Sequence, residues 1–265
     1  MNLEEQFEFE IFIPEKINWL NKTTLNELIK LKVFDDSENI DDHIKIIQQY
    51  DIPENRYEKI VKNLGIWVSG GADSSLLMYL LTRQIKQKNL PYKIHPFSVR
   101  RGRPWNPFYA QNVIDFINVT LDAGDIINDV KVYYPPIDDI HQREIKEFMD
   151  RDTEHFNNDI IDVMYSGITC NPPHDEVSPN KETKRDRNSE RPLIEKCSFR
   201  YFINPFFKYD KKDLANIYAK LNLVHTLFPL TRSCEGNDID TGYYTKHCGK
   251  CWWCEERMWA FGRLE

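Results

Sequence analysis

The sequence predicts an α/β domain: a parallel sheet of about five strands with helices on both faces, a small cysteine-rich subdomain after it and a helical appendage before it. Three observations predict this. From residue 65 onward, short apolar β-prone runs alternate with segments of helical periodicity, the pattern of βα units stacked into a parallel sheet. A Ser-Gly-Gly turn at residues 69–71 joins the first such run to the first such helix. Four of the six cysteines crowd into residues 234–254, outside that rhythm. The expected divisions are an appendage over 1–60, the α/β domain over 61–230 and the C-terminal subdomain over 231–265.

Composition bounds the classes. A chain of 265 residues with 41% hydrophobic content is long and apolar enough to bury a sizeable core. No apolar run approaches the ~20 residues that cross a bilayer, so no membrane span is expected. The acidic start (Glu4, Glu5, Glu8, Glu10) lacks the basic flank of a signal peptide, which makes a cytoplasmic location the expectation. A formal net charge of −7 argues against a broad electrostatic grip on nucleic acid, which needs many Lys and Arg contacts to phosphate, and leaves room for a local basic patch.

Residues 1–60 carry no recognisable chemical motif. Phe7 to Ile13 alternate loosely, as a strand that Pro14 would stop. Thr23 or Thr24 caps an expected helix through Leu31, and Asp41-Asp42 open another through Gln49, which Pro53 ends. The appendage is a candidate surface for a protein partner or a second copy of the chain.

Ile66, Trp67 and Val68 enter Ser69-Gly70-Gly71, and Asp73-Ser74-Ser75 open a helix in which Leu76, Leu77, Leu80 and Leu81 share one face. Two glycines tolerate positive φ and bare their N–H groups, while the free amides and dipole of a helix start favour an anion, so the turn is suited to phosphate. No Lys follows the glycines, which separates the turn from a Walker loop, and the spacing is not G-x-G-x-x-G. The plain structural alternative is a strand-to-helix turn with Asp73 as its N-cap. The stretch resembles the SGGxDS loop of the PP-loop ATP pyrophosphatases, which use ATP to adenylate a substrate oxygen and release pyrophosphate. That resemblance implies that Ser69, Gly70, Gly71, Ser74 and Ser75 cradle the phosphates of ATP. It also implies that Asp73 lies near the phosphates and their Mg²⁺, with Asp73 and Ser74 nearest the chemistry.

A second strand is expected from Tyr92 to Val99. The helix after it begins near Asn106-Pro107, with proline in the first turn and an apolar stripe at Tyr109, Val113, Phe116 and Ile117. A third strand (Val130 to Tyr134) leads to a helix over roughly Asp138 to Phe148, and a fourth runs from Ile160 to Ser166. Gly167 to Pro173 then follow at the carboxyl end of a parallel strand, where open α/β sheets place ligands. Gly167 is expected near the nucleotide and Asn171 near the acceptor, unless the stretch is simply a proline-rich turn. Residues 178–192 hold almost nothing that could be buried and read as a mobile loop. It is either a lid with Lys184, Arg185, Arg187 or Arg191 near phosphate or a solvated charge run. A fifth strand near Arg200–Ile203 precedes a helix capped by Asp210, with Asp213 three residues on and Leu214, Ile217, Tyr218 and Leu221 at helical spacing.

Cys234, Cys248, Cys251 and Cys254 are spaced C-x13-C-x2-C-x2-C. Three thiols two residues apart converge on one ion and a fourth from a preceding loop completes a tetrahedral set, which points to Zn²⁺ with no open position for a catalytic water. An iron-sulfur cluster uses the same ligands, and disulfides are the remaining alternative. Trp252, Trp253, Trp259 and Phe261 read as the packing of a final short helix.

Pro205-Phe-Phe-Lys-Tyr-Asp-Lys-Lys-Asp-Leu, Thr231-Arg232-Ser233-Cys234, and Cys248-Gly249-Lys250-Cys251-Trp-Trp-Cys254 with Arg257, taken with the loop at 69–75, resemble the 7-cyano-7-deazaguanine synthase family. The resemblance implies an adenine nucleotide alpha-hydrolase-like fold carrying a zinc knuckle, and a place in 7-deazaguanine (queuosine) biosynthesis. It also implies an ATP-dependent ligase that adenylates a heteroaryl carboxylate such as 7-carboxy-7-deazaguanine, admits ammonia to form the amide, and dehydrates it to the nitrile with a second ATP. Ser98 is expected at the nucleotide, and Arg100, Arg101, Asn171 and Lys208 at the acceptor. Two departures bear on the acceptor pocket. The family's Tyr-Gly-Gln-Arg-His-like stretch is replaced by Ser98-Val99-Arg100-Arg101-Gly102-Arg103-Pro104-Trp105, and the first two cysteines are set farther apart by an insertion that includes Asn237-Asp238-Ile239-Asp240. Arg100, Arg101 and Arg103 bind phosphate or a carboxylate, or form an exposed basic turn.

Two other classes stand beside the ligase. A PP-loop RNA sulfurtransferase would adenylate a base oxygen and deliver sulfur from a cysteine, for which Cys170 is suitably placed, although a lone cysteine is commonly a small buried hydrophobe. A module that binds nucleotide or partner without turnover would keep the fold alone.

Overall fold

Residues 9–18, 58–99, 105–133, 155–156, 160–173, 176–177, 192–197, 200–234 and 246–265 are described by the computed structural model of the chain. Strands β1 (Lys16–Asn18) and β2 (Glu58–Ile60) form a separate antiparallel pair. The main sheet comprises β3 (Asn63–Trp67), β4 (Lys93–Val99), β5 (Lys131–Tyr133), β6 (Val163–Tyr165), β7 (Ile194–Cys197) and β8 (Arg200–Ile203), in the spatial order β5-β4-β3-β6-β8-β7.

The five expected strands are present and parallel, and the sheet has a sixth that was not expected: β7 runs antiparallel to β8 at one edge. Its Ile-Glu-Lys-Cys sequence offers little apolar content, and Ile194 itself is exposed, which is tolerable for an antiparallel strand at a sheet edge. From β3 the chain steps outward through β4 and β5, then returns to place β6 on the opposite side of β3. Between β3 and β6 the strand order reverses, so their carboxyl ends flank the crevice in which such sheets bind ligands.

Helix α1 (Ala72–Gln87) follows β3, and α2 (Trp105–Leu121) follows β4. Leu76, Leu77, Leu80 and Leu81 pack into the core as expected, and burial extends beyond their face to Met78, Tyr79, Thr82, Gln84 and Ile85, so that α1 is buried on nearly all sides. Such an environment requires its polar groups to be paired. Thr82 Oγ1 donates to Met78 O at 2.8 Å, and the Gln84 carboxamide accepts from Ile11 N at 2.7 Å and donates to Ile11 O at 2.9 Å. Gln84 thereby seats the segment around Ile11 against α1, and Ile11 and Ile17 join the main core.

The start of β3 is pinned by the buried Asp162 carboxylate. It accepts from the Lys62 and Asn63 amides at 2.7 and 2.8 Å and pairs with Lys59 Nζ at 2.7 Å. Helices α3 (Lys211–Lys220) and α4 (Trp252–Phe261) complete the described helices. The expected cap of α3 is a full capping box, with Asp210 Oδ1 accepting from Asp213 N and Asp213 Oδ2 accepting from Asp210 N, both at 3.0 Å. None of the described helices is long and apolar enough to cross a membrane. The helices expected at 24–31, 41–49 and 138–148, and all but the last residue of the loop expected at 178–192, lie outside the described residues.

Candidate active site and metal centre

The turn between β3 and α1 lies at the point where the strand order reverses. Gly70 has φ +75°, and a Cβ there would sit 2.4 Å from Tyr109 Cβ and 2.9 Å from Ala110 N, so α2 presses directly on the turn. Gly71 is the helix N-cap, with no side-chain capping bond. Asp73 is therefore not the cap that the plain alternative made it; its carboxylate is used elsewhere. The serines bond inward. Ser69 N donates to Ser74 Oγ at 3.2 Å, the Ser69 and Ser74 hydroxyls lie 3.1 Å apart, and the Ser75 hydroxyl donates to Gly71 O at 2.7 Å. The first amides of any helix lack intrahelical acceptors, and here serine hydroxyls serve the earliest of them: Gly71 N donates to Ser69 Oγ at 3.3 Å and Ala72 N to Ser233 Oγ at 3.4 Å.

The loop after β6 closes on the same point. A Cβ on Gly167 would lie 2.9 Å from Ser74 N and 3.0 Å from Ser74 Cα, so only glycine allows that backbone to approach the helix start this closely. Ser98, on β4, is fully buried, and its hydroxyl has no hydrogen-bond partner among the described residues. Such a group calls for an added polar partner. Asn171 is half-buried in the loop that follows Gly167, and the Cys170 amide ties this loop to Tyr209 O at 2.9 Å. Lys208 is exposed, with its ammonium 5.2 Å from the centroid of the Phe207 ring. Arg100, Arg101 and Arg103 lie outside the described residues.

The lysine that reaches the 69–75 turn is Lys211, which sequence reasoning passed over as a residue of the first turn of α3. Its side chain is 2% exposed, and its ammonium stands 3.1 Å from Asp73 Oδ2 and 3.1 Å from Glu256 Oε2 on α4. Asp73 Oδ1 is buried without a hydrogen-bond partner among the described residues, so one oxygen of this carboxylate is anchored and the other is held in reserve. The available signal was faint: a lysine directly after an N-cap Asp, in a helix start where acidic residues are favoured.

Cys234, Cys248, Cys251 and Cys254 converge. Their four Sγ atoms all lie within 4.8 Å of one another, and those of Cys248 and Cys254 are 3.9 Å apart. The amides of Cys248 and Cys251 donate toward Cys234 Sγ and Cys248 Sγ, each at 3.3 Å, the usual support for thiolate charge. Hydrogen bonding with Cys234 and Cys251, followed by burial, pushes the Cys254 thiol far up from its ordinary range. Four thiols this close lose their protons together only around a cation, which inverts that tendency.

The tail is fastened to the domain by the fully buried Arg257. It donates to Leu264 O (2.7 Å), Thr231 Oγ1 (2.9 Å), Phe228 O (3.1 Å) and Thr231 O (3.2 Å) and lies 3.7 Å from the Phe228 ring centroid.

At the carboxyl ends of β3, β4 and β5, Trp67, Phe97 and Tyr133 form an aromatic cluster, with ring centroids 5.7 to 6.2 Å apart. His155 stacks on Phe97 at 4.6 Å and bonds through Nε2 to the Tyr133 hydroxyl. Burial, helped by the charges of Lys131 and His95, holds the His155 pKa down at about 4, so the ring is neutral at pH 7.

No protein-family profile matches the sequence, and no curated protein matches it. Among solved structures, the U34-tRNA thiolase NcsA from Methanococcus maripaludis with its [4Fe-4S] cluster is similar over 76% of this chain and 70% of that chain. The identity is 14% and the TM-score 0.41.

Proposed function

We propose that the protein is an ATP-dependent adenylating enzyme of the PP-loop kind, which activates a deazapurine-type carboxylate and joins it to ammonia as an amide or nitrile. The observation that carries the ATP reading is the 69–75 turn. It stands where the strand order reverses, is pressed by Gly70 and Gly167 into contacts no side chain would permit, and is lined by Ser69, Ser74 and Ser75.

The chemistry follows from what a carboxylate lacks. Its oxygen is a poor leaving group, so it attacks the α-phosphorus, pyrophosphate departs, and the acyl adenylate that results has AMP as a good leaving group. Ammonia then attacks the acyl carbon and AMP is expelled. In this reading the turn amides and serine hydroxyls hold the phosphates, and Asp73 is kept in place by Lys211. Rate enhancement comes from alignment and from stabilised phosphate charge. Mg²⁺, when bound with ATP, would add charge neutralisation at the phosphates.

Zn²⁺ suits the four cysteines and would serve structure alone. The zinc reading is supported by the four sulfurs, which all lie within 4.8 Å of one another, close to the span that one ion bridges at about 2.3 Å from each thiolate. Metal analysis should return one zinc per chain, with no visible iron-sulfur absorption.

A second reading is sulfur transfer to an RNA base, the kind of activity named for the thiolase above, and nothing in the comparisons favours the ligase over it. In this chain it is supported by Cys170, only partly buried, three residues beyond Gly167. Pyrophosphate release with Mg-ATP separates the readings. The ligase requires 7-carboxy-7-deazaguanine or a related acid, whereas the sulfurtransferase requires RNA and loses product formation in Cys170→Ser. A chain that binds ATP and releases no pyrophosphate with either acceptor is a binding module.

A further inference from the structure

The cysteine tail and the phosphate turn share three sets of contacts. Arg232 N donates to Gly70 O at 2.8 Å, and Ala72 N donates to Ser233 Oγ at 3.4 Å, so the two residues before Cys234 accept and supply bonds on both sides of the Gly71 N-cap. Tyr218 of α3, packed against Phe228 and Phe261, donates its hydroxyl to Ala72 O at 2.8 Å. Lys211 then spans the two parts directly, with Asp73 from the first turn of α1 on one side and Glu256, two residues after Cys254, on the other.

We propose that Lys211 and Glu256 are positioning residues that couple the metal tail to the phosphate turn, so that metal held by the cysteines raises the affinity for Mg-nucleotide and nucleotide raises the affinity for metal. The inference rests on the nucleotide reading above. The physical reason is that one buried ammonium is held between two carboxylates, so withdrawing Glu256 frees one side of Lys211 and changes both its position and the field it sets up at Asp73. When the cysteines lose their ion, α4 loses the restraint at Cys251 and Cys254, and Glu256 moves with it. Lys211 is then left to Asp73 alone, and Arg232 and Ser233 loosen their hold on Gly70 and Ala72. The turn that must receive the phosphates thereby loses a charge anchor and two backbone bonds together. Such a coupling is reciprocal by thermodynamic necessity.

The test uses the full chain, Zn²⁺, and α,β-methylene-ATP with Mg²⁺, so that no turnover intervenes. Nucleotide affinity is measured by calorimetry on zinc-loaded and zinc-stripped protein, and zinc affinity by competition with a chelator, with and without nucleotide. The expected result is at least fivefold tighter nucleotide binding in the loaded protein and an equal factor in zinc affinity when nucleotide is present. Lys211→Met and the isosteric Glu256→Gln should each keep one zinc per chain and bring both factors to within twofold of one. The glutamine variant decides the matter if the methionine variant fails to fold. Nucleotide binding that is equal in loaded and stripped protein, or coupling that survives Glu256→Gln, overturns the proposal and leaves the nucleotide site standing. Absence of nucleotide binding in the loaded wild-type chain overturns the nucleotide reading and the coupling with it.

Discussion

Gly70 is the residue on which the 69–75 turn depends. Alanine there would meet a φ of +75° and a Cβ placed 2.4 Å from Tyr109 Cβ, an atom fixed to the α2 backbone. Gly70→Ala is expected to cost on the order of 2 kcal/mol of stability and to weaken Mg-ATP binding at least tenfold, checked by urea unfolding and calorimetry. Gly262→Ala is the control, because its φ of +66° carries the backbone penalty in open space, eight residues beyond the last cysteine. Its expected cost is about 1 kcal/mol, with ATP affinity unchanged.

His155 gives a pH dependence. Its folded pKa of about 4 lies below the ordinary 6.5, so between those values the unfolded chain takes up a proton that the native state refuses. Stability is fully present above about pH 6.5 and falls as the pH drops toward 4, by something on the order of 2 kcal/mol. Urea midpoints at pH 7 and 4.5 should show this loss, and His155→Gln should shrink it; an unchanged pH slope in the variant would refute the assignment.

At this scale the serines, the glycines and the four cysteines were legible because each type has a local reason to be where it is. The role of Lys211 was not. Its burial is produced by Asp73 and Glu256, which are 138 and 45 residues away along the chain, and no local pattern records such partners.

Among the elements, α3 shows how far local rules reach. Asp210 and Asp213 announced a capped start, and the reciprocal bonds at 3.0 Å realise it. Asp210→Ala should cost about 1 kcal/mol, read as a lower urea midpoint with an unchanged m-value. For α4 the controlling group is Arg257, whose four hydrogen bonds satisfy three backbone carbonyls and the Thr231 hydroxyl. Arg257→Leu strands these acceptors and should cost about 3 kcal/mol or more, with protection from hydrogen exchange lost first over residues 252–261. The short strands were the least legible elements. β7 adjoins a charge run and buries one side at most, and β1 and β2 pair across 39 residues of intervening chain, so neither carries a pattern that periodicity detects.

For the molecule as a whole, the order of the five parallel strands decides where the proposed nucleotide site lies. Alternating strand and helix patterns predicted a parallel sheet, but the order in space, and hence the reversal between β3 and β6, came only with tertiary pairing. That reversal brings Gly167 against Ser74, 93 residues earlier, and so completes a site whose halves were visible separately. The cysteine tail then closes over the α1 side of the turn through Arg232, Ser233 and Lys211.

The central claim is that residues 69–75 grip the phosphates of ATP. A crystal structure of the full chain with α,β-methylene-ATP and Mg²⁺ tests it most directly. The expected result places the phosphates against the Gly70–Ser75 backbone and the Ser69, Ser74 and Ser75 hydroxyls, beside Gly167. Nucleotide density elsewhere on the molecule, or an empty turn at millimolar nucleotide, would contradict it.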